Sequence, residues 1–233
     1  MTFRAIFYDL DGTLRMNDPI SWRAFADFVS TVGIAIAGVD VLRLARWEHS
    51  YFADSPLLRK DSLTFTSTAS FWTNYGYRQL LELGVTPARA IELSPVVYQY
   101  MTDSYRPKDF IPEGLVETLG ILKNQGYLLG VLSNRSESFS DYLAEQGLAD
   151  FFSLAIYAKE AGAFKPDPAV FYYLLEKAGV SAENSIYVGD NYFADVVGAR
   201  QAGLSPVLLD VNGLFDDPGC PVIQNHRQIL ALL

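Results

Sequence analysis

AIFYDLDGTL, residues 5–14, decides how the rest of the chain is read. Four residues that belong in a core, Ala5 to Tyr8, run into two acids, Asp9 and Asp11, and then into Gly12 and Thr13. A short apolar run bounded by turn residues reads as a buried strand, and an unbroken run is what a parallel strand covered on both faces looks like. Two like charges at the mouth of such a strand repel one another and lose solvent, so a compensating cation is expected beside them.

Working outward, residues from 108 onward alternate short apolar runs with helical periods, the pattern of β-α-β winding. Strands are expected at 127–132, 153–157, 185–189 and 206–209. Leu115, Leu119 and Leu122 recur at helical spacing in 113–125, which stops at Gly126. Residues 168–178 have Asp167 as N-cap, Pro168 at the first helical position and Gly179 as terminator; 192–202 closes at Gly203. The expected fold is α/β, a Rossmann-like parallel sheet with helices on both faces. Residues 16–107 differ in character: they hold all three tryptophans, offer helix starts at Thr86-Pro87 and Ser94-Pro95, and show no clear strand. The chain is therefore divided into an α/β core of 1–15 and 108–233 and an inserted α-helical domain of 16–107. Pro19 and Pro107 lie near the two crossings, which are expected to act as hinges.

At 233 residues the chain can bury a sizeable core, and no segment is low-complexity. The longest apolar stretches, such as 32–39, fall short of the ~20 residues of a membrane helix, and no export signal is expected before Asp9. A single cysteine, Cys220, excludes an internal disulfide and a thiolate metal cage, so a cytoplasmic, reducing setting is expected. The net charge of −9 disfavours nucleic acid and anionic membranes as partners. The insertion is nearly balanced in charge, so the α/β core carries the acidic excess. An anionic substrate would need a cation to mediate.

Ligands of open α/β sheets bind beyond the carboxyl ends of the strands. The residues ending the apolar runs form one set there: Asp9, Ser133, Asp190 with Asp195 shortly after, and Lys165 in the loop following 153–157. Asp or Ser after a strand is often only a cap. Several carboxylates, a lysine and a hydroxyl on one rim are instead a site for a divalent cation and an anion. Hard oxygen donors with no histidine or thiol among them suit Mg²⁺.

The motifs DLDGTL (9–14), LSN (132–134), GAFKPDP (162–168) and GDNYFAD (189–195), in this order and with the insertion after the first, resemble the haloacid dehalogenase superfamily, in the phosphatase branch with a helical cap. The resemblance implies that Asp9 attacks phosphorus and that Asp11 serves as acid and then base. It implies that Gly12, Thr13, Ser133, Asn134 and Lys165 bind the phosphoryl group, and that Asp9, Asp11 (through its carbonyl), Asp190 and Asp195 serve the Mg²⁺ site, Asp195 directly or from behind it. The expected activity is hydrolysis of a small phosphomonoester. Halide leaves without a proton, so Asp11 argues against dehalogenation.

Other readings stand beside this one. A sugar phosphomutase keeps both acids and would need polar groups from the insertion, for which Arg15, Asn17, Arg43, Arg46, His49, Arg59 and Lys60 are candidates. A catalytically silent binding protein of the same fold is disfavoured by the retained acids and lysine. The aromatic residues of the insertion, such as Trp47, Tyr51 and Tyr75, are read as its own core. No GxxxxGK[ST] or GxSxG occurs, which leaves P-loop and serine hydrolase chemistry without a motif.

Overall fold

The structure, a computed structural model, describes residues 3–233. The chain opens with β1 (Ala5–Tyr8) and a short β2 (Met16–Asp18), then enters five helices, α1 (Ser21–Thr31), α2 (Gly38–Phe52), α3 (Pro56–Thr64), α4 (Thr68–Glu82) and α5 (Pro87–Asp103). It returns through β3 (Lys108–Phe110) and continues with α6 (Leu115–Asn124), β4 (Leu128–Ser133), α7 (Ser140–Glu145), β5 (Leu154–Tyr157) and α8 (Ala158–Ala161). Then follow α9 (Pro168–Ala178), β6 (Ser185–Gly189), a π-helical turn (Tyr192–Val196), α10 (Val197–Gln201), β7 (Ser205–Leu209), β8 (Val222–Ile223) and a closing 3₁₀ segment (His226–Ala231). The chain separates into two compact units, one of Asn17–Asp109 and one of the residues on either side.

In the α/β unit a six-stranded sheet runs in the order β5-β4-β1-β6-β7-β8, with every pairing parallel. From β1 the chain builds outward through β4 and β5, then crosses back to build β6, β7 and β8 on the other side. The reversal falls at β1, where Tyr8 is in register with Val131 of β4 and Val188 of β6. Successive side chains of β1 enter opposite cores, as a period of two requires. Ile6 and Tyr8 pack with Leu115, Leu119 and Leu122 of α6, while Ala5 and Phe7 pack with Val170, Phe171 and Leu174 of α9. Burial on both faces is why β1 reads as an unbroken apolar run.

Local signals place the helices of this unit well. The Asp167 side chain accepts from Ala169 N at 2.9 Å, Pro168 opens α9, and Gly179 closes it with φ of 66°. The expected helix over 192–202 begins instead with the π turn, and β8 and the short β2 and β3 were not expected. The last two pair with each other as a separate ribbon, so the chain leaves and re-enters the α/β unit side by side.

In the helical unit, Ser94-Pro95 does not start a helix: Pro95 lies inside α5. Proline lacks the N–H that would bond the carbonyl of Ile91, and the Ser94 hydroxyl donates to that carbonyl instead, at 3.4 Å. Trp22, Tyr51 and Tyr75 are buried, and Trp47 stacks on Tyr51 and Tyr75 with ring centroids 5.1 and 5.7 Å apart. Trp72 is exposed. Two buried acids are held between helices. Asp61 is bonded by Arg78 and by the Tyr51 hydroxyl, and Glu48 by Gln79 Nε2 at 2.5 Å.

Candidate active site

The strand order brings the ends of β4, β1 and β6 together as neighbours, with β5 next in line. Asp9 follows β1, Ser133 ends β4, Asp190 follows β6, and Lys165 stands in the loop beyond β5. This is the crevice outside a topological switch point, where convergence follows from connectivity.

Lys165 is the hub. Its Nζ is 2.5 Å from Asp9 Oδ1, 2.7 Å from Asp195 Oδ1 and 3.0 Å from the Tyr187 hydroxyl, so its three donors are matched by three acceptors. The Tyr187 hydroxyl in turn donates to the Leu132 carbonyl at 2.8 Å. Lys165 is only 2% exposed. Burial opposes its charge, but Asp195 and Asp9 outweigh that and raise its pKa well above the ordinary lysine value. Its backbone is fixed from β4: Asn134 Oδ1 accepts from Lys165 N at 2.7 Å, and Asn134 Nδ2 donates to Lys165 O at 2.9 Å. Asn134 thus positions the lysine loop with both ends of its amide.

Asp9, Asp190 and Asp195 each offer an oxygen within 4.8 Å of the other two. Burial pushes Asp9 up to about 7 against the pull of Lys165, and the Asp195 charge adds to the rise. Burial and the charges of Asp9 and Asp195 also hold Asp190 well above the carboxylate range. Three acids facing one ammonium are under-compensated, and their hard oxygens fit a small divalent cation such as Mg²⁺. Asp195 sits on the π turn, a distortion common at functional sites, and its Oδ2 accepts from Asn191 N at 2.9 Å. Asn191, not Asp195, caps the turn, through Phe193 N and Ala194 N at 3.0 Å each.

Two glycines make room for these acids. A Cβ on Gly12, whose φ is +89°, would lie 2.3 Å from Asp190 Oδ2, and one on Gly189 would lie 2.3 Å from Asp195 Cγ. Thr13 is fully buried, and its hydroxyl donates to Asp190 Oδ1 at 3.2 Å. Its carbonyl meets His226 Nε2 at 3.0 Å. Ser133 is buried, and its Oγ accepts from Arg135 N at 3.3 Å.

The Asp11 carboxylate faces elsewhere: its partners are Arg135 and Arg15. Burial would raise its pKa, but the hydrogen bonds and charges of the two arginines prevail and lower it. It is therefore outside the carboxylate cluster that shares Lys165. Sequence reasoning missed Tyr187, whose polar tip is invisible inside a buried apolar run, and Arg135, which adjoins the LSN motif but shows its partner only once the loops after β1 and β4 are placed. Cys220 lies elsewhere in the α/β unit, half-buried near Arg200 and Leu204, and burial pushes its thiol up.

A family model for haloacid dehalogenase-like hydrolases matches residues 3–203. A phosphoserine phosphatase of Thermus thermophilus is 28% identical over 92% of this chain and 92% of its own length. A phosphoglycolate phosphatase of Pseudomonas fluorescens is 29% identical over 97% of this chain and 78% of its own. The crystal structure of a 2-haloacid dehalogenase from Pseudomonas syringae pv. Tomato superposes with a TM-score of 0.56 at 25% identity, covering 99% of this chain and 98% of that one. With its motifs gathered on one sheet edge and a family model spanning most of its length, this chain belongs to the haloacid dehalogenase-like hydrolases.

Proposed function

We propose that the protein is a Mg²⁺-dependent phosphatase that hydrolyses a small phosphomonoester by way of an aspartyl-phosphate on Asp9. The observation that carries this reading is the buried Lys165 bonded at once to Asp9 and Asp195, with Asp190 completing the group of acids. The family match and the phosphatase names of two relatives matched over most of their length support it.

Lys165 grips Asp9 Oδ1 and so fixes the plane of that carboxylate for attack. A carboxylate oxygen of Asp9 forms a bond to phosphorus as the bond from phosphorus to the ester oxygen breaks, and the leaving oxygen takes a proton from Asp11. A water then attacks the phosphoryl group, gives its proton to Asp11, and releases inorganic phosphate and the free Asp9 carboxylate. Ser133 and the backbone of the loop at Gly12 and Thr13 hold the phosphoryl oxygens, while Asn134 keeps the lysine in place. Asp9, Asp190 and the Asp11 carbonyl would hold Mg²⁺, with Asp195 behind Lys165; the bound ion neutralises charge on the transferring oxygens. The arginine pair keeps Asp11 ionised, the form the water-activating half requires, so the acid half begins with Asp11 taking up a proton and leaving one arginine. A departing halide needs no proton, and Asp11 would then be idle; this favours ester hydrolysis over dehalogenation.

Asp9→Asn is expected to fold normally and to lower turnover by about a thousandfold or more with Mg²⁺ and a panel of phosphomonoesters. Mass spectrometry of the wild type quenched during turnover should find a phosphoryl group on the peptide carrying Asp9. Persistent turnover in purified Asp9→Asn would remove Asp9 as nucleophile.

A further inference from the structure

Arg135 grips Asp11 by the side of its guanidinium, Nε to Oδ2 and Nη2 to Oδ1, each at 2.7 Å, and Arg15 Nη1 adds a bond to Oδ1 at 2.8 Å. Two cations meet one carboxylate in a chain whose net charge is −9. One bidentate arginine already neutralises an aspartate. The geometry of Arg135 leaves part of its donor capacity over.

That geometry leaves an edge open. Arginine presents two forks, one formed by Nε with Nη2 and one by the two Nη nitrogens. Asp11 fills the former, and Arg135 Nη1 has no partner among the described residues. The Arg135 side chain is 33% exposed and that of Arg15 23%, so both reach solvent. Both guanidinium carbons lie 5.9 Å from the centroid of the Tyr142 ring, which keeps the pair together. Arg135 stands two residues beyond Ser133 and touches its hydroxyl through the backbone, while Asp11 stands two residues beyond Asp9. The ion pair thus joins the two loops that carry Asp9 and Ser133, the residues assigned to the phosphoryl group.

We propose that Arg135, backed by Arg15, is the recognition site for a substrate carboxylate, so that the preferred phosphomonoester carries a carboxylate within a few bonds of its ester oxygen. The inference rests on the phosphatase reading and adds the substrate class to it. The carboxylate takes the open fork of Arg135 while Asp11 keeps the other, so one guanidinium aligns the substrate and the acid that serves it.

The test compares phosphoglycolate with hydroxyethyl phosphate, which differ in the carboxylate alone. The wild type should favour phosphoglycolate in kcat/KM by about tenfold or more, and Arg135→Gln should abolish most of that preference, chiefly through KM. Arg135→Lys, which keeps the charge but loses the fork, should fall between them. Any loss transmitted through Asp11 affects both compounds and cancels in the ratio. A wild-type ratio near one, or a ratio unchanged in Arg135→Gln, would overturn the carboxylate site. The same ratio measured as dissociation constants on Asp9→Asn with Mg²⁺ does not need turnover. Arg135-dependent preference in binding with no hydrolysis of either compound by the wild type would overturn the phosphatase reading and uphold the carboxylate site. Hydrolysis of both without Arg135-dependent preference would do the reverse.

Discussion

Lys165 shows what a single residue contributes to this site. It is buried, it bonds two acids and a phenol, and its main chain is held by an asparagine that follows β4. Replacing it with methionine keeps the volume but leaves Asp9 and Asp195 facing each other without a counter-charge. Removing one partner of a buried pair costs about 3–5 kcal/mol, and Lys165→Met should lose stability on that scale at neutral pH in urea denaturation. The loss should shrink in acid, where the carboxylates neutralise. At this scale the sequence was informative wherever a residue ended an apolar run, as Asp9, Ser133 and Asp190 do. It was silent about Tyr187, because alternation along a strand does not reveal which buried tip meets a polar partner. Nor did it show that Asn134 holds the main chain of Lys165 with both ends of its amide.

Elements carry a different kind of information. Glu48 of α2 is buried beside α4, and burial pushes its carboxyl up to about 7 against hydrogen bonds from Tyr75, Gln79 and Ser21. Its ordinary value is near 4.5, so between these two values the unfolded chain releases a proton that the folded chain keeps. The stability this acid contributes is fully present below pH 4.5 and is lost as pH rises through about 7. Glu48→Gln should therefore leave stability unchanged near pH 4 and raise it at pH 8 by on the order of 2–3 kcal/mol, measured by denaturant titration at both pH values. Helices of the α/β unit were legible from caps and terminators, since Asp167, Pro168 and Gly179 act within one turn of themselves. Pro95 was not, because a proline usually found at a helix start was accommodated mid-helix by its neighbour's hydroxyl. The π turn was equally hidden: a helical period does not distinguish it from α, and what it achieves is the inward placement of Asp195.

For the whole molecule the decisive fact is the strand order, which makes neighbours of residues nearly two hundred positions apart. Asp9, Asp190 and Asp195 converge only in the folded chain, so a cation bound there stabilises folding by mass action. Adding Mg²⁺ to chelator-treated protein should raise the thermal midpoint, with a gain of about 3 kcal/mol at a hundredfold excess over Kd, and should restore activity together with it. Asp190→Asn should flatten that titration. A midpoint insensitive to Mg²⁺ in the wild type would remove the metal from the account. The fold class was readable because alternating runs and helical periods dictate a wound parallel sheet, whereas β2 and β3, three residues each, carry no periodicity to read. Yet that small ribbon sets how the protein can diverge. Where an insertion departs and returns along hydrogen-bonded neighbours, its length and helical content are free to vary without disturbing the register behind it. A lineage can then trade one helical module for another while the chemistry beneath stays fixed.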